Sequence, residues 1–96
     1  MAIISFTDDR LADFFYDGAI PMRAGWASAS NQVLVKLDRL HSATRISDMA
    51  YPPGNNLHRL EGNLKGFHAV RINRQWRLIF KWEDGNAFEV DVLDYH

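Results

Sequence analysis

The spacing of apolar residues changes period partway along the chain. In "TDDRLADFFYDG" Leu11, Phe14 and Phe15 recur at three- and four-residue intervals, the signature of one helical face. Thr7 stands where a cap is needed, Asp8 and Asp9 suit the positive end of the helix dipole, and Gly18 ends the pattern. The preceding "IISF" reads as a short strand. From about Ala24 to His41 a second helix carries Trp26, Val33, Leu37 and Leu40 on one stripe, with Lys36 and Arg39 outside it. "AYPPGNN" is a rigid loop, and beyond it the period is two: "NLHRLEG", "FHAVRIN", "QWRLIFKW" and "AFEVDVLDYH" each predict a strand. Asp84-Gly85 is a hairpin signal, and Asn73-Arg74 makes a tight turn between the second and third of these strands. The expected architecture is α+β, in the order β-α-α-β-β-β-β, an antiparallel sheet with both helices on one face, and a single domain over residues 1–96.

Alternation also sorts side chains by face. Trp76, Leu78, Phe80 and Trp82 fall together, leaving Arg77 and Lys81 opposite with Ile79. His68, Val70 and Ile72 share a face that excludes Arg71. In the last strand Phe88, Val90 and Val92 define the core side; Asp94 and His96 continue their parity, and Tyr95 points the other way. One side of the sheet is therefore expected to be core and the other basic.

Composition narrows the classes. The 96 residues are 47% apolar, enough for one core, and contain no cysteine, which excludes disulfide scaffolds, thiolate metal sites and cysteine nucleophiles. No apolar run approaches the roughly 20 residues that cross a bilayer, and the first residues do not read as a signal peptide, so a soluble, cytoplasmic protein is expected. The net charge of -1 hides an uneven distribution. Between His58 and Lys81 stand Arg59, Lys65, Arg71, Arg74, Arg77 and Lys81 against Glu61 alone, a block suited to a polyanion or an acidic partner. The competing reading is a set of solvated strand faces neutralised by the acidic stretch that follows.

Three groups can carry chemistry: His58 with Arg59, Arg71 with Arg77, and the run Asp94, Tyr95, His96. Metal-free phosphate cleavage needs a proton acceptor, a proton donor and fixed positive charge where the non-bridging oxygens gather negative charge. Histidine titrates near neutral pH and arginine holds two oxygens at once. Taken singly, each residue has an ordinary explanation: a surface histidine, an arginine covering a tryptophan ring, a tyrosine packed at a sheet edge. There is no HExxH, no histidine pair at metal-ligand spacing, no glycine-rich phosphate loop and no nucleophile elbow.

The segment "PPGNNLHRLEGNLKGFHAVRINRQWRLIFKW", followed by "DYH", resembles the HigB toxins, or plasmid maintenance killer proteins, of the RelE/ParE superfamily. The resemblance runs over essentially the whole chain. Its most specific parts are L-x-x-L-x-G from Leu57 to Gly62, R-I-N-x-Q-W-R-L from Arg71 to Leu78, and the "DYH" run. It implies a ribosome-dependent endoribonuclease that cleaves translated messenger RNA without a cofactor. It also implies a helix-turn-helix antitoxin of the HigA type and repression of operator DNA by the complex. On this resemblance His58, Arg77, Asp94, Tyr95 and His96 are the catalytic set, while Arg59, Lys65, Arg71, Arg74 and Lys81 hold RNA or ribosome. Glu61 departs from relatives that carry lysine there, leaving Arg59 or Lys65 to replace a phosphate contact. Two alternatives stay open: a ParE-like gyrase poison that acts by binding, and a catalytically weak toxin serving mainly in repression.

Overall fold

The computed structural model describes residues 2–94. Helix α1 spans Asp9–Asp17. Its cap is Asp8 rather than Thr7: the Asp8 carboxylate accepts the Arg10 backbone N–H at 2.8 Å, satisfying one of the free donors of the first turn. Gly18 closes the helix in the left-handed region at φ 75°, where its N–H donates to the Phe14 carbonyl. The second predicted helix is divided. A 3-10 turn at Gly25–Ala29 precedes α2, Ser30–Ser42. The division falls at Ala29, whose backbone leaves the helical region at φ -108° and ψ 21°; the turn itself opens at Gly25, which lies against the Trp76 ring so closely that a Cβ would stand 2.7 Å from Cη2.

Two more 3-10 turns, Ile46–Ala50 and Pro53–Asn55, lead into the sheet. Its strands are β1 His58–Arg59, β2 His68–Arg71, β3 Trp76–Glu83 and β4 Asn86–Asp94, antiparallel in sequence order. β1 is shorter than the alternation predicts, because Gly62 at φ 68° opens a 3-10 turn at Gly62–Leu64 that bends the chain away. The expected β3–β4 hairpin turn is present, with Asp84 and Gly85 both at positive φ, the form that matches strand twist. "IISF" is not a full strand. Ile3 and Phe6 make isolated parallel bridges to Ala87 and Val90, so the segment runs beside β4 in the same direction.

Val33, Leu37 and Leu40 of α2 and Leu11 and Phe14 of α1 meet Val70, Leu78, Phe80, Val90 and Val92 in one core. Phe14 tilts onto Trp26 at a centroid distance of 5.2 Å. One parity expectation fails. Ile79 pairs with Asp91 but Lys81 pairs with Phe88, so β4 holds an extra residue, and Glu89 stands there at φ 53°. The bulge turns the strand over: Ala87, fully buried, takes the core position, while half-buried Phe88 shares the opposite face with Lys81. Among the described residues no helix is long and apolar enough to cross a membrane.

Candidate active site

Strand register gathers His58, Arg71 and Arg77 on the sheet face away from the two helices. Arg71 and Arg77 are direct cross-strand partners. His58 pairs with Ala69, which places it one diagonal step, about 7–8 Å, from Arg71. Like charges directly opposite each other are unfavourable in a sheet, and here the two arginines share an acceptor. Arg71 Nε donates to the Asn73 carbonyl at 3.1 Å and Arg77 Nη1 donates to the same oxygen at 2.9 Å. Arg77 Nη1 also lies 3.2 Å from the Trp76 carbonyl. The Asn73 side chain organises the same turn, its Oδ1 accepting the backbone N–H groups of Gln75 and Trp76, each at 2.9 Å. Asn73 thus builds the turn and aims both guanidinium groups. Its turn propensity is legible in the sequence, whereas its second task depends on two strands meeting.

His58 has a defined proton arrangement. Its Nδ1 lies 2.7 Å from the Asn56 carbonyl, and a carbonyl oxygen can only accept, so the neutral ring carries its proton on Nδ1 and its lone pair on Nε2. Neutral, the ring accepts a proton through Nε2; charged, it gives one back from the same atom. Asn56 reaches this position in the left-handed region, φ 49°, which asparagine tolerates.

The other expected residues are dispersed. Arg59 pairs with His68 on the opposite parity from His58, and with Lys65, Glu61, Phe67 and His68 it lines a separate cleft of about 280 Å³. His68 stacks on Phe80 at 5.8 Å, and burial, then the nearby Arg59 charge, pushes its pKa below the ordinary value. Lys81 lies on the arginine face but near the bulge, held by Glu89 at 2.8 Å and over the Phe67 ring at 5.1 Å. Arg74 is exposed in the β2–β3 turn. Asp94 faces Trp76 across the ladder and accepts from Gln75 Nε2 at 3.0 Å. Tyr95 and His96 lie outside the described residues. Among the described residues no cluster of three or more His, Asp or Glu side chains is arranged to hold a metal.

Comparison with known proteins decides the family. The sequence profile described as "RelE-like toxin of type II toxin-antitoxin system HigB" matches residues 4–96. The chain belongs to the HigB-like toxins. Toxin HigB-1 of Vibrio cholerae serotype O1 is 42% identical over 88 residues, 92% of each chain. Endoribonuclease HigB of Proteus vulgaris is 27% identical over 66 residues, covering 62% of this chain and 72% of that protein. The fold recurs in the YoeB-YefM complex from Staphylococcus aureus, with TM-score 0.61 at 19% identity over 100% of this chain and 97% of that one. It recurs also in the YoeB/ParE toxin from Agrobacterium tumefaciens, with TM-score 0.51 at 14% identity over 100% and 99%. This HigB-like toxin therefore has the α+β fold expected from its sequence, on a RelE-type scaffold.

Proposed function

We propose that this toxin is a cytoplasmic, ribosome-dependent endoribonuclease that cleaves translated messenger RNA by metal-independent attack of a ribose 2′-hydroxyl on the adjacent phosphorus. The observation that carries the reading is the pair Arg71 and Arg77, two guanidinium groups converging on one carbonyl beside His58. Two guanidinium groups held side by side can each hold oxygens of one phosphate, and the phosphorane of the transition state gathers negative charge on just those oxygens. Arg77, helped by Arg71, holds the non-bridging oxygens. His58 and His96 divide the proton transfers: one takes the 2′-hydroxyl proton, the other supplies a proton to the leaving 5′-oxygen, and the Nδ1–H tautomer leaves His58 Nε2 to face the substrate. Tyr95 stacks on or orients the nucleotide, and Asp94 positions His96 or a base edge. Arg59, Lys65, Arg74 and Lys81 contribute contacts to RNA or ribosome. The name of the Proteus vulgaris relative, an endoribonuclease, supports the reaction class. A helix-turn-helix antitoxin of the HigA type controls the toxin and, with it, binds operator DNA.

The reaction leaves a 2′,3′-cyclic phosphate and a 5′-hydroxyl, and it has no nucleophile where the 2′-hydroxyl is missing. A message with one 2′-deoxy nucleotide at the cut site is expected to remain intact on translating ribosomes, and His96→Ala to slow cleavage of the normal message by about 10²-fold. Cleavage of the deoxy message would exclude this mechanism.

A further inference from the structure

Asn55 is the one polar residue in the buried set among the described residues, at 1% exposure, although it sits in a loop. Burying a side-chain amide is costly unless its hydrogen bonds are made, and here they are made across three parts of the fold. Its Nδ2 donates to the Met49 carbonyl at 3.0 Å and to the Tyr51 carbonyl at 3.2 Å. Its Oδ1 accepts from Lys36 Nζ on α2. Lys36 is half-buried, and burial first, then Arg39, lowers its pKa, so the ammonium spends hydration on this contact. The backbone on either side is tied as well: Asn55 N–H donates to the Pro52 carbonyl at 2.9 Å and Asn56 N–H to the Pro53 carbonyl at 3.2 Å. The next carbonyl, that of Asn56, is the one that receives the His58 Nδ1 proton.

We infer that Asn55, braced by Lys36, is a positioning residue for His58: the pair fixes the Pro53–Asn55 turn so that the Asn56 carbonyl selects the Nδ1–H tautomer and aims Nε2 at the substrate. The inference rests on His58 serving in cleavage for its consequence in rate, while its consequence in tautomer stands apart from any activity. The brace begins on α2, the turn lies beside β2, and the ring it orients is on β1. Helix and sheet are thereby coupled through one amide. Freeing that amide lets the turn relax without removing any group that touches RNA.

The test uses the full chain and two variants. Lys36→Met keeps most of the aliphatic stem and removes the ammonium. Asn55→Ala removes the whole brace. Long-range nitrogen–proton correlation spectra of the His58 ring are expected to show the Nδ1–H tautomer in the parent and a mixture with the Nε2–H form in both variants, more in Asn55→Ala. With messenger RNA on ribosomes, kcat is expected to fall by up to about 10²-fold with KM for the programmed ribosome little changed, since misplacement rather than lost contact is the cause. The double variant is expected to match Asn55→Ala, because the two residues act as one unit. A His58 tautomer unchanged in the variants overturns the inference, whether or not the parent cleaves RNA. If Asn55→Ala does not fold, Lys36→Met alone decides. Tautomer mixing in a parent that does not cleave RNA at all would defeat the proposed reaction and the positioning role alike, whereas a single Nδ1–H tautomer lost in both variants of an inactive parent would defeat only the reaction.

Discussion

A histidine held against an aromatic ring loses hydration that its charged form needs more than its neutral form does. His68 is in this position, stacked on Phe80 and near Arg59, and its pKa lies below the ordinary 6.5. The native ring therefore protonates at lower pH than the unfolded one. The stability this ring contributes is fully present above about pH 6.5 and declines as pH falls through that value, until the native ring titrates too. Urea denaturation from pH 8 to pH 5 is expected to show this decline, and His68→Gln to flatten it; an unaltered slope in the variant would assign the effect to other groups. At Arg77 the prediction concerns shape as much as charge. One ammonium cannot span two phosphate oxygens in the way a guanidinium does, so Arg77→Lys is expected to lose roughly 10²-fold or more in cleavage rate, as removal of an oxyanion donor does. Restoration of most of the parental rate by lysine would show that a point charge suffices.

Elements are joined here by two local devices. The first is the Glu89 bulge, which places a residue at φ 53° in a strand and exchanges the faces of β4 on either side of it. A β-branched side chain meets the backbone in that region at a cost of about 1–2 kcal/mol, whereas glycine meets none. Glu89→Val is expected to lower stability by about that amount. Glu89→Gly is expected to stay close to the parent or above it, losing only the partly exposed ion pair to Lys81. Thermal melts of the two variants check the contrast, and equal losses would mean the ion pair, not the backbone, dominates. The second device is the close approach of Gly25 to Trp76, the first residue of β3, next to Arg77. A methyl group there forces the indole to shift, at an expected cost of about 1–3 kcal/mol for overpacking, measurable as a lower denaturation midpoint for Gly25→Ala. An unchanged midpoint would show that the ring, which is half-buried, has room to move.

At the scale of the molecule, a toxin of a type II system must be held in check while its host grows. The exposed Arg71 and the half-buried Arg77 leave a basic face on the sheet, with exposed Arg74 in the adjoining turn, and Ile20 and Met22 are exposed in the connection between α1 and the Gly25–Ala29 turn. Co-expression of the locus is expected to yield the chain bound to a helix-turn-helix protein, and induction of the toxin alone to arrest translation within minutes while leaving DNA undamaged. DNA breaks with continuing protein synthesis would point to a gyrase poison. Normal growth with free toxin accumulating would count against a toxin of either kind.

Much of this was determined by the sequence alone, because the deciding forces are local. Helical spacing at Leu11, Phe14, Val33, Leu37 and Leu40, the Asp84-Gly85 turn and strand alternation through β2 and β3 follow from backbone geometry that a short window already contains. Alternation likewise put Arg71 and Arg77 on the face opposite the core, where the ladder makes them partners. The family followed from the motifs spaced along the whole chain, and the matching profile agrees. What only the tertiary structure decided depends on contacts between distant residues. The bulge at Glu89 arises from a register between strands, and it moved the core position from Phe88 to Ala87. The second helix is divided at Ala29, and the turn before it opens at Gly25 against the ring of Trp76, 51 positions further along the chain, at no spacing a helical window samples. The work of Asn55 and Asn73 is equally invisible in a list of turn formers: an asparagine in a loop is ordinary until a lysine on a helix or an arginine on a neighbouring strand arrives at its amide or its carbonyl.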